Sequence, residues 1–224
     1  MTLLQEPKSS TGRVGRVGIF GGSFDPPHNA HVALAQVALT QLQFDTVLWI
    51  PTGHAWQKRS PFASADQRAE MVALAIADQP RFVLDRREQM RSGPSYTLDT
   101  VRELQTEHAG AAIVLIIGQD QYAGFHTWRG WQELLQSVTL AVAARPGAPL
   151  QVNDDVTRTA EKQTVTLPLM DISSTEIRSR LANGLAVADL VPAAVASYIA
   201  RQGLYTSSNS SKPGPHTQEL NGHS

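Results

Sequence analysis

The chain has 224 residues, with 19 Lys or Arg and 20 Asp or Glu, so its formal net charge is −1. This balance provides no overall positive field for nucleic acid or an anionic membrane, and we expect neither as a partner. The absence of cysteine excludes a disulfide framework, a thiolate nucleophile and cysteine-bound metal clusters. No apolar run approaches the roughly 20 residues of a membrane span, and residues 1–12 lack the apolar core of a secretory signal, which favours a soluble, cytoplasmic protein.

The two ends of the chain are more polar than its body. Residues 1–13 and 206–224 carry too few apolar side chains to offset the entropy lost on ordering. We therefore predict a disordered N-terminal arm, a folded domain over residues 14–205 and a disordered C-terminal tail.

Short β-rich runs alternate with segments of helical periodicity through the domain. The predicted strands are residues 14–20, 46–50, 82–84, 113–117 and 138–143. The unbroken apolar run IVLII at 113–117 favours a strand buried on both faces. The alternation predicts an α/β fold with a doubly wound, mainly parallel sheet and a small C-terminal helical part. Such sheets bind ligands beyond the carboxyl ends of their strands, near the point where the strand order reverses.

Helix boundaries are indicated by capping patterns. Two pairs have the three-residue spacing of a capping box: Ser64 with Gln67, and Ser173 with Glu176. Pro192 suits the first turn of a last helix over residues 192–202, and Gly203 suits its C-terminal stop.

The densest motif is GIFGGSFDPPHNAH at residues 18–31, between the first strand and the first helix. Gly21 and Gly22 lack side chains at the turn, so their amides can approach a ligand closely. The following helix begins near His28 to His31, and its N-terminus favours an anion. The two histidines are three residues apart and point to the same side of that helix. Together these features predict a phosphate-binding turn, although histidines in turns are also common as solvated surface groups.

Other nucleotide and metal motifs do not fit this segment. Glycines recur at every third residue at Gly12, Gly15, Gly18 and Gly21 rather than as G-x-G-x-x-G, and the sequence has no Gly-Lys-Ser/Thr. The His-x-x-His spacing lacks the i, i+4 pair and the glutamate of a zincin helix. We predict no metal site built from protein side chains.

A second phosphate-binding candidate is ISSTEIR, residues 172–178. Ser173 caps the predicted helix, Ser174 adds a donor, and Arg178 lies about one turn in, where its guanidinium can bind phosphate oxygens in a fork. The alternative is an ordinary capped helix with a surface arginine.

Further candidates lie in loops that follow strands. Residues 51–58 carry His54 and Lys58 as possible phosphate ligands. Residues 119–131 carry Asp120, which could accept hydrogen bonds from a sugar, and Trp128, which is either a stacking platform or a core aromatic. Arg145 is a further basic candidate near a strand end.

GGSFDPPHNAH resembles the G-x-F-D-P-x-H-x-G-H signature of nucleotidyltransferases that adenylylate small phosphorylated molecules. One departure is Ala30, which stands where the family pattern has Gly. Further matching segments extend over nearly the whole domain: Ser95-Tyr96-Thr97, Ile117-Gly118-Gln119-Asp120, Trp128, Arg145-Pro146-Gly147, ISSTEIR and the ending Gly203-Leu204-Tyr205. The combination is similar to the bacterial nicotinate-nucleotide adenylyltransferases, which join nicotinate mononucleotide to the AMP part of ATP.

The resemblance implies a Rossmann-like nucleotidyltransferase fold and a set of functional residues. ATP with Mg²⁺ and nicotinate mononucleotide are the implied ligands, and a homo-oligomer is possible. The implied catalytic residues are His28, His31 and Arg178. The implied ATP-binding residues are Gly21, Gly22, Ser23, Phe24, Ile172, Ser173, Ser174 and Lys58. The implied substrate-binding residues are Asp120, Trp128, Tyr96, Thr97 and Arg145.

Three alternatives stay open at this point. Two are adenylyltransferases for other acceptors, namely nicotinamide mononucleotide or phosphopantetheine. The third is a nucleotide-binding module that kept the fold with little or no catalysis, since one fold hosts many functions.

Overall fold

The computed structural model describes residues 14–53, 62–144, 152–166 and 170–207. The predicted arm 1–13 and nearly all of the predicted tail lie outside the described residues. The same holds for three candidate ligands, His54, Lys58 and Arg145.

A parallel sheet forms the centre of the domain. Its strands in the described residues are β1 (Arg16–Gly22), β2 (Thr46–Pro51), β3 (Phe82–Leu84), β4 (Ala112–Gly118), β5 (Thr139–Ala144) and β6 (Lys162–Thr166). Their spatial order is β3-β2-β1-β4-β5-β6, and all five pairings are parallel. The order reverses between β1 and β4. The predicted doubly wound sheet is confirmed.

The helices follow the strands on both faces of the sheet. Their bounds are α1 (Asn29–Gln41), α2 (Ala65–Ile76), α3 (Arg87–Met90), α4 (Thr97–Glu107), α5 (Gln119–Ala123), α6 (Trp131–Ser137), α7 (Asp154–Thr159), α8 (Ser174–Ala182) and α9 (Ala193–Gln202). Helices α1 and α2 cover one face, whereas α4, α5, α6 and α7 cover the other. None of the helices in the described ranges is long and apolar enough to cross a membrane.

The central strand β4 shows why its sequence is apolar without interruption. Ile113, Leu115 and Ile117 pack into the core under α4 and α6, while Val114 and Ile116 pack into the core under α1 and α2. All five side chains are buried. Burial on both faces removes the polar alternation expected of a strand with one wet face.

A third apolar cluster joins the C-terminal helices to α2. It contains Met71 of α2, Ile177 of α8, Ile199 of α9 and the following Tyr205. The small C-terminal helical part predicted from the sequence is therefore packed on the main sheet layer through α2.

The capping predictions are largely confirmed. Ser64 and Gln67 form a complete capping box, with bonds of 3.2 Å and 2.9 Å to each other's backbone N–H groups. Ser173 Oγ accepts from the Glu176 N–H at 3.1 Å, but the Glu176 carboxylate turns to Arg180 Nε at 2.8 Å, so that box is half formed.

Strand β6 differs from the prediction. It is not among the five strands predicted from the sequence, yet it spans Lys162–Thr166 and pairs with β5. Val165 is its one fully buried side chain. An edge strand with so little apolar surface gives no periodic signal in the sequence.

Candidate active site

A pocket opens at the carboxyl ends of the central strands. Gly21, Gly22 and Ser23 line it from the end of β1, Thr52 from the end of β2, and Ile117 from the end of β4. β1 and β4 are the two neighbours between which the strand order reverses. The pocket therefore lies where a doubly wound sheet leaves a crevice for ligands.

Gly21 keeps one wall of this pocket open. A Cβ atom added at Gly21 would meet no protein atom within 4 Å, whereas one at Gly22 would lie 3.0 Å from the Phe24 ring. The space that a side chain at Gly21 would fill is therefore part of the pocket and is not occupied by a neighbouring residue. This is the close backbone approach expected at a ligand-binding turn.

Phe24 fixes the turn that follows the glycines. Its backbone has φ 48°, a left-handed conformation that costs a bulky residue about 1 kcal/mol. Its buried ring packs edge-on to Phe20 at 5.4 Å and to His31 at 5.2 Å between centroids, and tilted against Trp49 at 5.2 Å. This packing holds the unfavourable backbone in place, so the turn is rigid.

The two histidines of the motif form a stacked pair at the start of α1. Their ring centroids are 3.6 Å apart, and the rings are inclined by 21°. The His28 N–H donates to His31 Nδ1 at 3.2 Å, so a neutral His31 carries its proton on Nε2. Burial, and secondly the neighbouring His28, lower the pKa of His31 well below its ordinary value. At neutral pH His31 is therefore an uncharged Nε2–H donor.

The N-terminal amides of α1 are less available than the sequence suggested. The Asn29 N–H donates to the Leu190 carbonyl at 2.9 Å, and Asn29 Nδ2 donates to the Asp189 carbonyl at 3.0 Å. The chain between α8 and α9 thus occupies the first helical amide. The imidazoles of His28 and His31, rather than the Asn29 amide, are therefore the groups at the N-terminus of α1 that can bind an anion.

The N-terminus of α8 docks on the same turn. Arg178 Nη1 donates to the Asp25 carbonyl at 2.6 Å, and Ser174 Oγ donates to the Pro26 carbonyl at 2.9 Å. Only Pro27 separates Asp25 and Pro26 from His28 in the chain. The structure therefore brings Arg178 and the histidines, about 150 residues apart in sequence, to one loop.

Three contacts hold the Arg178 guanidinium in place. Besides Asp25, it donates to Thr175 Oγ1 at 3.3 Å and lies over the Phe62 ring at 4.7 Å from the centroid. Ser173 serves as the N-cap of α8, and the half-buried Ile172 packs on the C-terminal apolar cluster. Arg178 is thus preorganised beside the turn.

The aromatic candidates also line this pocket. Trp128 stacks on the buried Phe125 with ring centroids 4.9 Å apart and the planes inclined by 23°. Tyr96 and Thr97, at the N-terminus of α4, also line the pocket, and the Arg129 guanidinium lies 4.4 Å from the Tyr96 ring centroid. These residues offer the pocket flat faces and one cation.

Asp120 is placed differently from its neighbours. It is exposed in the first turn of α5 and is not on the pocket wall, whereas Gln121 is. Gln121 Oε1 accepts from the Gly118 N–H at 2.9 Å. The role of Asp120 as a sugar ligand stays a prediction, and the geometry adds Gln121 as a polar residue that lines the pocket.

Sequence reasoning missed Arg68, which is 1% exposed in α2. Its Nη1 donates to the Ser23 carbonyl at 2.8 Å and its Nη2 to the Thr52 carbonyl at 2.7 Å. This guanidinium joins the segments that follow β1 and β2 beneath the pocket. Its position four residues before the buried Val72, on the apolar face of the helix, was the available signal.

Glu88 was also missed, although it lines the pocket and is buried. Burial raises its pKa above the ordinary value, opposed by the bond from Thr100 Oγ1 at 3.0 Å and by the nearby Arg91. No sequence motif distinguishes this glutamate from the charged residues around it. Within the described ranges, no cluster of three or more His, Asp or Glu is arranged to hold a metal ion.

This fold and site define a nucleotidyltransferase: the model of the cytidylyltransferase-like family matches residues 19–180, and the chain belongs to that family. A protein of Methylibium petroleiphilum is 48% identical over 195 residues, covering 85% of this chain and 92% of its own length. A protein of Bordetella petrii is 47% identical over 195 residues, covering 85% and 98%. Both carry the name "Probable nicotinate-nucleotide adenylyltransferase". Within the wider family, the chain belongs to the nicotinate-nucleotide adenylyltransferases.

Solved structures agree with the fold. The nicotinic acid mononucleotide adenylyltransferase of Plasmodium falciparum, in one complex with APC and another with NaAD, aligns with a TM-score of 0.71 at 18% identity. The alignment covers 85% of this chain and 97% of that one. At this identity the likeness shows the fold alone.

Proposed function

We propose that the protein transfers the AMP part of ATP to nicotinate mononucleotide, giving nicotinate adenine dinucleotide and pyrophosphate. The observation that carries this proposal is that aromatic residues and candidate phosphate ligands lie beside each other. A pocket walled by Trp128 and Tyr96 opens onto the turn at Gly21, and the same turn holds the His28–His31 pair and Arg178. The aromatic residues suit a flat ring, and the turn suits phosphates.

The reaction needs no protein nucleophile, because the acceptor phosphate itself attacks the α-phosphorus of ATP. Catalysis then consists of aligning the two phosphates and stabilising the charge that passes to pyrophosphate. The neutral His31, with its Nε2–H, is suited to donate to the α-phosphate, and His28 stacks beside it. Arg178 is suited to the leaving phosphates, together with Lys58 from the 51–58 segment.

On the acceptor side, we assign Trp128 to stack on the pyridine ring. Phe125 supports one face of the indole, so the stacking geometry is fixed before the ligand arrives. The backbone amides at Tyr96 and Thr97, with Arg145, are proposed to hold the pyridine carboxylate. This carboxylate distinguishes the acid from the amide mononucleotide.

The family uses ATP together with a divalent metal, and we propose Mg²⁺. Mg²⁺ keeps most of its water and binds readily to substrate phosphates, without needing a cage of protein carboxylates. We also propose a cytoplasmic location and an ordered domain that ends near Tyr205.

The test is pyrophosphate release from ATP and Mg²⁺ with nicotinate mononucleotide, nicotinamide mononucleotide or phosphopantetheine as acceptor. We expect release with nicotinate mononucleotide and at least tenfold lower kcat/KM with each of the others. Preference for another acceptor would overturn the substrate assignment. No release with any acceptor would favour the binding module without catalysis.

A further inference from the structure

The end of the folded domain reaches the nucleotide turn through one side chain. Tyr205 donates its hydroxyl to Asp25 Oδ1 at 2.7 Å, across 180 positions of sequence. Both side chains are buried, with 5% and 4% of their surfaces exposed. Burial and the adjacent Asp25 carboxylate raise the pKa of Tyr205 well above its ordinary value, so the phenol keeps its proton and remains a donor.

Asp25 connects this hydroxyl to the phosphate-binding residues. Its carboxylate also accepts from the Phe62 N–H at 2.8 Å and from the Ala63 N–H at 3.1 Å. Its backbone carbonyl accepts from Arg178 Nη1 at 2.6 Å. The side chain of Asp25 thus fixes its backbone, and the backbone fixes Arg178.

Backbone conformations at both ends of this link are unusual. Tyr205 has φ 64° and Phe24, the residue before Asp25, has φ 48°. A left-handed backbone costs a bulky residue free energy and persists only where its surroundings determine it. The hydrogen bond between Tyr205 and Asp25 joins the two segments with these unfavourable backbone conformations.

We propose that Tyr205 is a positioning residue for ATP: its hydroxyl orients Asp25, and Asp25 orients Arg178 towards the nucleotide phosphates. The inference rests on the proposed function only for the role of Arg178 as a phosphate ligand. Tyr205 is not among the residues that line the described pocket. In the described part of the chain its hydroxyl contacts Asp25 and Met71 and not Trp128 or Tyr96, so we expect the acceptor side to be unaffected.

The test is Tyr205→Phe, which removes one hydroxyl and keeps the ring. We expect KM for ATP to rise about fivefold or more, because a bond to a charged acceptor is among the stronger hydrogen bonds, while KM for nicotinate mononucleotide stays within twofold. Tyr198→Phe is the matched control. Tyr198 packs against the same apolar cluster and makes no hydrogen bond to Asp25 in the described part of the chain. It should leave both KM values unchanged.

The split between the two KM values separates positioning from mere stabilisation. A loss of folded protein would lower the maximal rate and leave KM for ATP unchanged. Wild-type KM for ATP in Tyr205→Phe, or an equal rise in both KM values, would overturn the proposal. In an Arg178→Ala background, the hydroxyl deletion should add less than twofold to KM for ATP, and a full additional effect would also overturn it.

Direct titration with ATP and Mg²⁺ keeps this test independent of the acceptor. If the wild-type protein binds ATP but forms no dinucleotide, the proposed function fails while the ATP dissociation constants still decide the role of Tyr205. If Tyr205→Phe does not fold, hydrogen exchange of the wild-type protein gives the answer. ATP should slow exchange of the Phe62 and Ala63 amides that bind Asp25, and unchanged exchange at both would overturn the proposal.

Discussion

The imidazole rings of His28 and His31 lie face to face at 3.6 Å, and the backbone N–H of the first binds Nδ1 of the second. Two protonated rings at this distance would repel each other strongly, so the arrangement favours a state in which at least one of the two imidazoles is neutral. The backbone bond also decides which nitrogen of His31 carries the proton. A single geometric relation therefore sets both the charge and the donor atom of the proposed catalytic group.

Replacing His31 by Ala tests its contact with the α-phosphate. We expect kcat to fall about a hundredfold or more, the usual effect of removing a donor to a developing charge, while KM for ATP changes less than threefold. Steady-state kinetics with varied ATP will show this. Near-normal turnover in the variant would refute the role.

The lowered pKa of His31 predicts a stability loss in acid. The unfolded chain binds a proton at this histidine near pH 6.5, whereas the folded chain does so only at lower pH. Stability is therefore retained above pH 6.5 and decreases as the pH falls from there towards the folded pKa. In denaturant unfolding, the free energy of unfolding should decrease less between pH 8 and pH 5 for His31→Gln than for the wild type. An equal decrease in both proteins would contradict a lowered pKa for His31.

Gly21→Ala tests whether the open space beside the turn belongs to the ligand. Since a methyl group there meets no protein atom within 4 Å, the variant should unfold within about 1 kcal/mol of wild type. ATP or acceptor binding should weaken at least tenfold. Gly18→Ala in the same strand is the contrasting control: its Cβ would lie 2.9 Å from the Phe44 ring, so it should lower stability instead.

Trp128→Ala should raise KM for nicotinate mononucleotide at least tenfold and leave KM for ATP within twofold, because the indole lines the pocket and is proposed to stack on the acceptor ring. Trp128→Phe keeps a flat ring and should recover part of the loss. Acceptor-dependent kinetics of both variants measure this. Equal effects on both KM values would point to a core role beside Phe125.

Ala30 occupies the first turn of α1, where the family pattern has Gly. Ala30→Gly should lower the free energy of unfolding by about 0.5–1 kcal/mol, since Gly is the poorer helix former. If the methyl crowds the nucleotide, KM for ATP should fall severalfold. An unchanged KM for ATP would show that the departure from the pattern is neutral.

Local chemistry explains which features could be predicted. The sequence predicted β4 because burial on both faces leaves a continuous apolar run. It also predicted Arg178 as a candidate, because a capped helix with hydroxyls has a recognisable pattern. Strand β6 could not be predicted, because its single buried valine produces no hydrophobic period. Asp120 and Gln121 are adjacent and both polar, so only the orientation of α5 decides which one lines the pocket.

Relations between distant segments were beyond the sequence. Arg68 joins Ser23 to Thr52, and Asp25 binds Tyr205, through contacts that no local spacing encodes. The motif around Asp25 was recognised for its glycines and histidines, whereas the carboxylate at its centre had no visible partner. Tertiary packing supplies that partner from the opposite end of the domain.

The ribosome adds Tyr205 long after it has made Asp25, because 180 positions separate them. A growing or prematurely terminated polypeptide that stops just before Tyr205 already contains all six strands described above, yet lacks the last donor to the turn. Translation must therefore reach Tyr205 before the hydrogen bonding around Asp25 is complete, and a fragment ended by a nonsense codon near residue 200 would lack this donor to the Asp25 carboxylate.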